Sequence, residues 1–408
     1  AIAVFLAFAL AYLFWVLIGT ITAARAPAGT QEFTLSAADL GLLAGGYFFG
    51  FALTQLPLGA WLDRYGPRRV LLCFLSVAVL GCVAFALARS FWWLLAARVL
   101  CGIGVSACLM APLTGYRRWL QVGTQLRANS WMLMTGSLGM VASTLPVQWW
   151  MEHSASWGLL AGWRGLFVLL ALAVLVAMGV LWRVVPVWRS AAPTAGQPPS
   201  YAQVWASLYF RRHIPLGFFS YGGLVAVQTL WAGPWLVRVS GYSAAQAAQG
   251  LFIINVCMLV AFWAWGALAP LLMRRGLGAD RLMTWGLPLN FISLAIILVA
   301  GDAVNSWAWA LFCITNTFVS LAQPAIGMAF PAHLAGRALS AYNLTIFAGV
   351  FAVQWGIGLM VDAFTRAGWS TTAAFQGAFG VFGLCCLVSY LFFVFYRDNS
   401  SMTTVPAA

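Results

Sequence analysis

Charged residues are scarce in this chain, and lysine is absent altogether. Of the 408 residues only 7% are charged, whereas 63% are hydrophobic. Soluble domains carry roughly 25% charged residues, so this composition excludes a soluble globular protein. Apolar stretches long enough for a helix to cross a bilayer recur along the chain. The predicted fold class is therefore an all-α membrane protein.

Metal-ligand and catalytic patterns are missing as well. The eight cysteines lie inside apolar stretches without paired C-x-x-C spacing, which predicts small core residues rather than metal ligands. The three histidines, His153, His213 and His333, lie at the edges of apolar stretches, and no Ser-His-Asp set occurs at membrane depth. We expect no metal, no cofactor and no enzymatic activity.

Twelve membrane spans are predicted from the apolar stretches. Their limits are 1–24, 39–61, 70–88, 91–116, 128–150, 164–185, 213–236, 246–272, 282–301, 307–332, 339–362 and 373–396. The predicted organisation is an N-terminal bundle of six helices (1–186), a cytoplasmic central loop (187–212), a C-terminal bundle of six helices (213–397) and a cytoplasmic tail (398–408). Within the central loop, the string from Tyr201 to Phe210 predicts a surface helix.

The arginines predict the orientation. With both termini in the cytoplasm, fifteen arginines lie in inner connections and five in outer ones, and Arg98 lies within span 4. Membrane proteins carry such an excess of positive charge on the cytoplasmic side. The net charge of +13 forms no patch for nucleic acid, because the arginines are spread over many short loops. We expect an integral protein of a bacterial inner membrane, and name its two ends "inner" and "outer" accordingly.

An internal repeat is visible across the two halves. LSAAD, from Leu35 to Asp39, returns as YSAAQ, from Tyr242 to Gln246. Other matches follow in the same order at a nearly constant offset: Gly59 with Gly266, Arg127-Ala128 with Arg337-Ala338, Gly139 with Gly349, and Gly165 and Phe167 with Gly377 and Phe379. The pattern predicts a duplicated unit of six spans, with both copies in the same orientation.

One short connection concentrates charge: GAWLDRYGPRR, between spans 2 and 3, holds one acid and three arginines. It resembles the loop motif of the major facilitator superfamily, G-x-L-x-D-R-x-G-x-R-R, at the place where that family carries it. The resemblance implies twelve helices in two parallel-repeat bundles and transport by alternating access. It also implies a cytoplasmic latch that holds the halves together when the cavity faces outward, formed by Gly59, Asp63, Arg64, Gly66, Arg68 and Arg69.

The spacing gives the latch a physical reason. Gly59 lies one helical turn before Asp63, where a missing side chain would let a neighbouring helix approach closely. Asp63 would then face the positive N-terminal end of span 11, near Leu339, while the arginines pair with acids or lipid headgroups. The alternative is that these arginines only contribute to the excess of positive charge on the cytoplasmic side, with a turn at Gly66-Pro67. The second-half copy, GALAPLLMRRG, has no acid at the matching place.

The same resemblance implies a central cavity lined mainly by spans 1, 4, 7 and 10. The candidate residues on these spans are Tyr12, Trp15, Arg98, Tyr221, Gln228, Trp231, Asn316 and Gln323. Each polar group costs free energy in hydrocarbon unless it is paired or faces water. Gln228 and Asn316 are equally compatible with joining helices through side-chain bonds, and the tryptophans with packing or interface anchoring.

Arg98 opens the string RVLCGIG, which resembles the span 4 motif of the same family through Arg98, Gly102 and Gly104. Two roles stay open for Arg98. It is either a structural hub between spans 1 and 4 or a direct contact for an anionic substrate group. In both cases a guanidinium at this depth needs a partner, because burying it unpaired costs at least about 2.5 kcal/mol.

The expected function is secondary active or facilitative transport of a small organic solute, anionic or zwitterionic, across the inner membrane. No Asp, Glu or Lys lies in the middle of a span, so facilitated diffusion, exchange and proton symport through an edge group or the substrate stay open. Drug or amphipathic-compound efflux by proton antiport is one alternative, although Pro146 follows Leu145 where that signature has a Gly-Pro pair. A non-transporting membrane receptor is another. The expected partners are the solute, protons and lipids, and the expected state is a monomer.

Overall fold

The computed structural model describes residues 2–21, 35–119, 132, 134–158, 161–187 and 200–396. The side chains left undescribed within these ranges are those of Asp63, Arg117, Arg118, Ala155, Pro270, Ala332 and His333. The predicted tail 398–408, most of the central loop and the repeat match at Arg127-Ala128 lie outside the described residues. The described chain is helical and contains no strand, as the all-α prediction requires.

The first half contains spans 1 to 6. Their helices are Ile2–Thr20 (span 1), Ala37–Leu53 with Gln55–Leu62 (span 2), 67–86 (span 3), Phe91–Val105 with Ala107–Trp119 (span 4), 134–142 with Leu145–His153 (span 5, as far as described), and Gly162–Val184 (span 6). Span 2 bends by 42° at Thr54. Gly66 separates span 2 from span 3, because its backbone, with φ of 77°, is not helical. A residue without Cβ adopts this left-handed conformation without strain.

The second half contains spans 7 to 12. They are Leu208–Arg238 (span 7), Ala244–Arg274 (span 8), Ala279–Ala300 (span 9), Ser306–Ala329 (span 10), Ala332–Arg366 (span 11) and Thr371–Phe395 (span 12). Before span 7 a short connecting helix covers Tyr201–Ala206. The predicted surface helix is therefore shorter than expected: Ser207 caps the next helix by accepting a hydrogen bond from the N–H of Phe210, so Phe210 belongs to span 7.

Ten helices of the described chain are long and apolar enough to cross a membrane, and the bent pair of span 2 makes an eleventh. Span 5 is the one predicted span outside this set, and it is described only at Met132 and from residue 134 onward. Span 11 begins at Ala332, earlier than the predicted limit of 339, because Pro331 ends the preceding segment and starts the helix. The Leu339 position therefore lies inside span 11, not at its N-terminus.

Spans 2 and 8 begin with the same local structure. The Ser36 hydroxyl accepts from the N–H of Asp39, and the Asp39 carboxylate accepts from the N–H of Ser36, which is a capping box. Ser243 and Gln246 make the same reciprocal pair at span 8. The repeated strings LSAAD and YSAAQ thus encode equivalent helix starts in the two halves.

Span 7 is irregular in two places. Leu216–Tyr221 and Val227–Trp231 are π-helical, which widens the turn and frees carbonyl groups. The Asn316 amide of span 10 donates to the carbonyl of Ser220 at 3.3 Å, and the Cys386 thiol of span 12 donates to that of Phe219 at 3.5 Å. These contacts replace the lost backbone bonds, as an apolar environment requires.

Among the described residues, spans 2 and 11 form the largest contact between the two halves. A Cβ added to Gly41 would lie 2.3 Å from the carbonyl oxygen of Gln354, and one added to Gly358 would lie 2.3 Å from that of Ala37. Glycine at both positions therefore lets the two backbones touch. This contact lies toward the outer end, because it involves the beginning of span 2 and the end of span 11.

Candidate functional site

A cavity of about 760 Å³ lies between the two halves. Eight spans line it, and the lining residues include Tyr12, Trp15, Gly19, Tyr47, Met140, Tyr221, Gln228, Trp265, Gln323, Asn343 and Phe347. The volume is that of a small-molecule site. No charged side chain of the described residues lines the cavity.

Aromatic rings form much of the wall. The Trp15 ring stacks on Phe51 with centroids 5.4 Å apart and meets Tyr12 edge to face at 4.8 Å. Trp265 on span 8 packs edge to face against Phe318, and its indole N–H donates to the Thr317 hydroxyl at 2.8 Å. Such walls fit the apolar body of an organic solute and leave polar recognition to a few side chains.

Tyr12 and Tyr221 bring two phenol groups to the cavity from opposite halves of the protein. Tyr12 lies on span 1 and Tyr221 on span 7. Neither hydroxyl has a hydrogen-bond partner within the part of the chain that the structure describes. Each is thus available to donate a hydrogen bond to a solute.

Gln228 belongs to an amide pair that joins the halves. Its amide nitrogen donates to Asn255 Oδ1 on span 8 at 3.0 Å, and Asn255 Nδ2 donates to the carbonyl of Met140 on span 5 at 3.2 Å. Gln228 therefore both lines the cavity and links helices, so the two interpretations of this residue are compatible. Asn255 lies on span 8, outside spans 1, 4, 7 and 10, from which the lining was expected.

Gln323 pairs with a second residue that the sequence analysis missed. Its amide nitrogen donates to Asn343 Oδ1 of span 11 at 2.7 Å, and both residues line the cavity. Asn343 is buried, and its Nδ2 atom has no partner among the described residues. An amide inside an apolar span indicates a functional or structural contact, since polar groups are costly there, but Asn343 lies on span 11, outside the four spans expected to line the cavity.

Arg98 lies outside the cavity wall and is fully buried. Its guanidinium donates to the carbonyls of Ile18 at 2.9 Å and Gly19 at 3.2 Å, near the end of span 1, and lies over the ring of Tyr47. The Tyr47 hydroxyl in turn donates to the carbonyl of Trp15. This is the arrangement of a hub between spans 1, 2 and 4, with no direct opening toward a ligand.

The two glycines that follow Arg98 allow this hub to form. A Cβ on Gly102 would lie 1.9 Å from the Tyr47 carbonyl oxygen, and one on Gly104 would lie 2.1 Å from the backbone nitrogen of Ala78. Span 4 therefore touches the backbones of spans 2 and 3 at these positions. The motif is a helix-packing device that holds Arg98 in place.

Trp231 and Asn316 do not line the cavity, contrary to expectation. Trp231 is fully buried, and its indole N–H donates to the Gln354 carbonyl at 3.0 Å. Trp231 thus contacts span 11, whereas Tyr221 and Gln228, which lie on span 7 like Trp231, line the cavity. The Asn316 amide donates a hydrogen bond to the Ser220 carbonyl in the π-helical turn of span 7 and is therefore not available to a solute.

The latch motif occupies the inner turn between spans 2 and 3. Arg64 lies over the Tyr65 ring at 5.2 Å, Arg68 lies over the Trp182 ring at 4.5 Å, and Arg69 is exposed. The Asp63 side chain lies outside the described residues. No described atom comes within 4 Å of a Cβ placed on Gly59, so the close helix approach predicted there is absent in this conformation.

The model of the Major Facilitator Superfamily matches residues 1–353. The chain is 25% identical over 321 residues to a "Probable L-galactonate transporter" of Escherichia coli (strain K12), which covers 75% of this chain and 67% of that protein. It is 26% identical over 396 residues to a "Probable 4-methylmuconolactone transporter" of Cupriavidus pinatubonensis (strain JMP 134 / LMG 1197), with coverage of 90% and 83%.

A solved structure shares the whole architecture. The crystal structure of a D-xylose-proton symporter matches with a TM-score of 0.78 over 99% of both chains, at 15% identity. At that identity the likeness concerns the fold. It confirms the predicted all-α architecture of two six-helix bundles.

Proposed function

The chain belongs to the Major Facilitator Superfamily, and from that membership and the cavity we propose that it moves a small organic solute across the membrane by alternating access. The observation that carries the proposal is the cavity of about 760 Å³ at the interface of the halves, lined from both sides. A site in this place is exposed to one side or the other as the two bundles rock.

We propose that the solute is a carboxylate with an apolar or ring-shaped body. The free groups on the cavity wall are donors, namely the hydroxyls of Tyr12 and Tyr221. Asn343, which also lines the wall, holds a third unpartnered donor, Nδ2, that is buried in this conformation. No described carboxylate lines the wall to repel an anion. Aromatic surfaces such as Trp15 receive the remainder of the solute, and one relative is named for L-galactonate, an organic anion.

Arg98 supports an anionic solute without touching it. The guanidinium is separated from the cavity by Tyr47 and by the Gly19 backbone, both of which line the wall. No salt bridge to Arg98 occurs among the described residues. At roughly 8 Å and an effective dielectric constant of about 20, a buried charge attracts an anion by about 2 kcal/mol. We therefore propose that the Arg98 charge attracts the anion through the cavity wall and that Arg98 makes no direct contact with it.

The orientation, the latch and the coupling are also part of the proposal. Following the arginine distribution, both termini lie in the cytoplasm of a bacterium. Spans 2 and 11 then touch on the periplasmic side, whereas Gly59 on the cytoplasmic side faces open space, which fits an inward-facing state with the Asp63 latch released. Protons, if coupled, are carried by an edge group or by the solute itself, since no acid lines the described cavity.

The experiment is uptake into liposomes that contain the purified protein. Labelled L-galactonate and a panel of aromatic and lactone carboxylates are offered with and without a proton gradient, and each neutral methyl ester serves as the matched control. We expect saturable uptake of at least one carboxylate and none of its ester. Uptake of esters in preference to acids would contradict the anionic class, and absence of transport for every solute with retained binding would favour a receptor.

A further inference from the structure

An acid at the outer end of span 11 binds the beginning of span 2 in the other half. Asp362 Oδ1 accepts a hydrogen bond from the N–H of Ala37 at 3.1 Å, and Oδ2 accepts from the N–H of Ala38 at 2.9 Å. These N–H groups are at the start of helix Ala37–Leu53, where backbone donors have no partner inside the helix. The carboxylate thus neutralises the positive end of span 2 from across the interface.

The capping box of span 2 leaves this site open for Asp362. The Ser36 hydroxyl takes the N–H of Asp39, so the two preceding N–H groups need an acceptor from elsewhere. Asp362 supplies both bonds from a residue 325 positions away in sequence. The second half therefore completes a cap that the first half makes only in part.

Below this contact the helices touch through glycines. The Gly358 position lies against the Ala37 carbonyl, and Gly41 lies against that of Gln354. Gly45 follows on the same face, where an added Cβ would lie 2.9 Å from the Phe351 ring. These residues form a tight seam between spans 2 and 11 on the outer side of the cavity, and Asp362 lies at its outer edge.

Resting on alternating access as the proposed function, we propose that Asp362 is an outer latch, which keeps the cavity closed toward the outer end by binding the N-terminus of span 2. When the cavity opens outward, the seam separates and both the carboxylate and the two N–H groups pass to water. The closed form is therefore favoured by the difference in free energy between the two hydrogen bonds to Asp362 and the hydration of the same groups in the open form.

The repeat provides a matched control for this proposal. Glu152 on span 5 precedes Asp362 by the same offset that relates Gly139 to Gly349. Span 5 packs against span 8, whose capping box repeats that of span 2. Yet the Glu152 carboxylate accepts a hydrogen bond from Gln148 of its own helix at 2.7 Å. An acid at the equivalent place therefore makes a local bond instead of an interface bond.

The test measures the distance between spin labels at Arg89→Cys and Ala303→Cys by electron paramagnetic resonance. Both positions are exposed in outer connections, one in each half. Cys73, Cys257 and Cys385, the exposed and half-buried cysteines, are replaced by Ser in the background. Solute is omitted, so the result does not depend on the identity of the substrate and remains separate from the uptake experiment.

Asp362→Asn is expected to move the closed-to-open equilibrium about tenfold toward the longer distance, because the amide lacks the charge that attracts the helix end. Glu152→Gln is expected to leave the distances unchanged. Gly358→Ala adds a methyl group that forces spans 2 and 11 apart at the seam, so it provides the reference distance for the open state. An unchanged distribution in Asp362→Asn beside a widened one in Gly358→Ala overturns the proposal, as does equal widening in Asp362→Asn and Glu152→Gln.

Discussion

The guanidinium carbon of Arg98 lies 4.8 Å from the centre of the Tyr47 ring, so one aromatic ring stands between a buried charge and the cavity. The same guanidinium holds two carbonyls of span 1. Its positive charge and its hydrogen bonds therefore have separate consequences. The charge acts on what enters the cavity, whereas the hydrogen bonds fix the end of span 1.

Arg98→Gln and Arg98→Lys separate these consequences. Either change removes the forked guanidinium that reaches both the Ile18 and the Gly19 carbonyl, and we expect the free energy of unfolding to fall by about 2–4 kcal/mol. Arg98→Lys keeps the charge and should retain the affinity for an anionic solute within about threefold, while Arg98→Gln weakens it by at least about tenfold. Thermal unfolding and calorimetric binding in detergent measure both effects.

The control is Arg89→Gln, which removes an exposed charge at the outer end. It should change neither quantity. Equal loss of anion affinity in Arg98→Lys and Arg98→Gln would show that the charge is irrelevant and that Arg98 acts only through helix packing.

Tyr12→Phe and Tyr221→Phe remove the two free phenol donors while keeping the aromatic rings. We expect each to weaken carboxylate binding by about tenfold to hundredfold, since a hydrogen bond to a charged group contributes roughly 1.5–3 kcal/mol net. Tyr65→Phe, on the exposed inner turn, is the matched control. Binding of the solute is measured by calorimetry, and unchanged affinity in both cavity variants would remove the phenols from the site.

Asn343→Asp tests the sign of the solute charge. The substitution preserves the oxygen that accepts from Gln323 and replaces the unpartnered Nδ2 donor by a second oxygen. A carboxylate solute should then bind at least about tenfold more weakly, while its methyl ester is little affected. Asn305→Asp, a helix cap at the outer end, controls for the same chemical change elsewhere. Tighter binding of the anion in Asn343→Asp would contradict the proposed site.

The sequence predicted the spans well because their apolar length is a local property. Ala244–Arg274, for example, lies within a few residues of the predicted 246–272. Side-chain direction is less local. Trp231 and Asn316 lie on the correct spans but do not line the cavity, because their side chains bind the backbone carbonyls of Gln354 and Ser220 instead.

The missed residues have a different cause. Asn255 and Asn343 are amides in apolar spans, and their cost in hydrocarbon made them visible in the sequence. Both lie outside spans 1, 4, 7 and 10, to which the family resemblance limits the expected lining. Asp362 is the last residue of the predicted span 339–362, but its partner lies in the other half, and only the packing of spans 2 and 11 brings the two together.

Asp63→Asn tests the inner latch implied by the motif. The change removes the charge expected to face the N-terminus of span 11 and hardly alters volume, so insertion should be normal, uptake should fall, and the outer spin-label distance should stay short. If Asp362 opposes it at the outer end, the double variant Asp63→Asn with Asp362→Asn should recover part of the lost uptake. Wild-type uptake by Asp63→Asn at matched expression would indicate that the motif only contributes positive charge on the cytoplasmic side and forms no latch.

The orientation is tested by two single cysteines at exposed, described positions: Gln203→Cys in the connecting helix and Ala303→Cys between spans 9 and 10. Fifteen arginines against five place the first in the cytoplasm and the second outside. In intact cells, a membrane-impermeant maleimide should label the cysteine at 303 and leave the one at 203 unlabelled. Permeabilised cells provide the control, because both sites should then react. Labelling at 203 from outside, with protection at 303, would reverse the orientation and with it the assignment of the Asp362 seam to the periplasmic side.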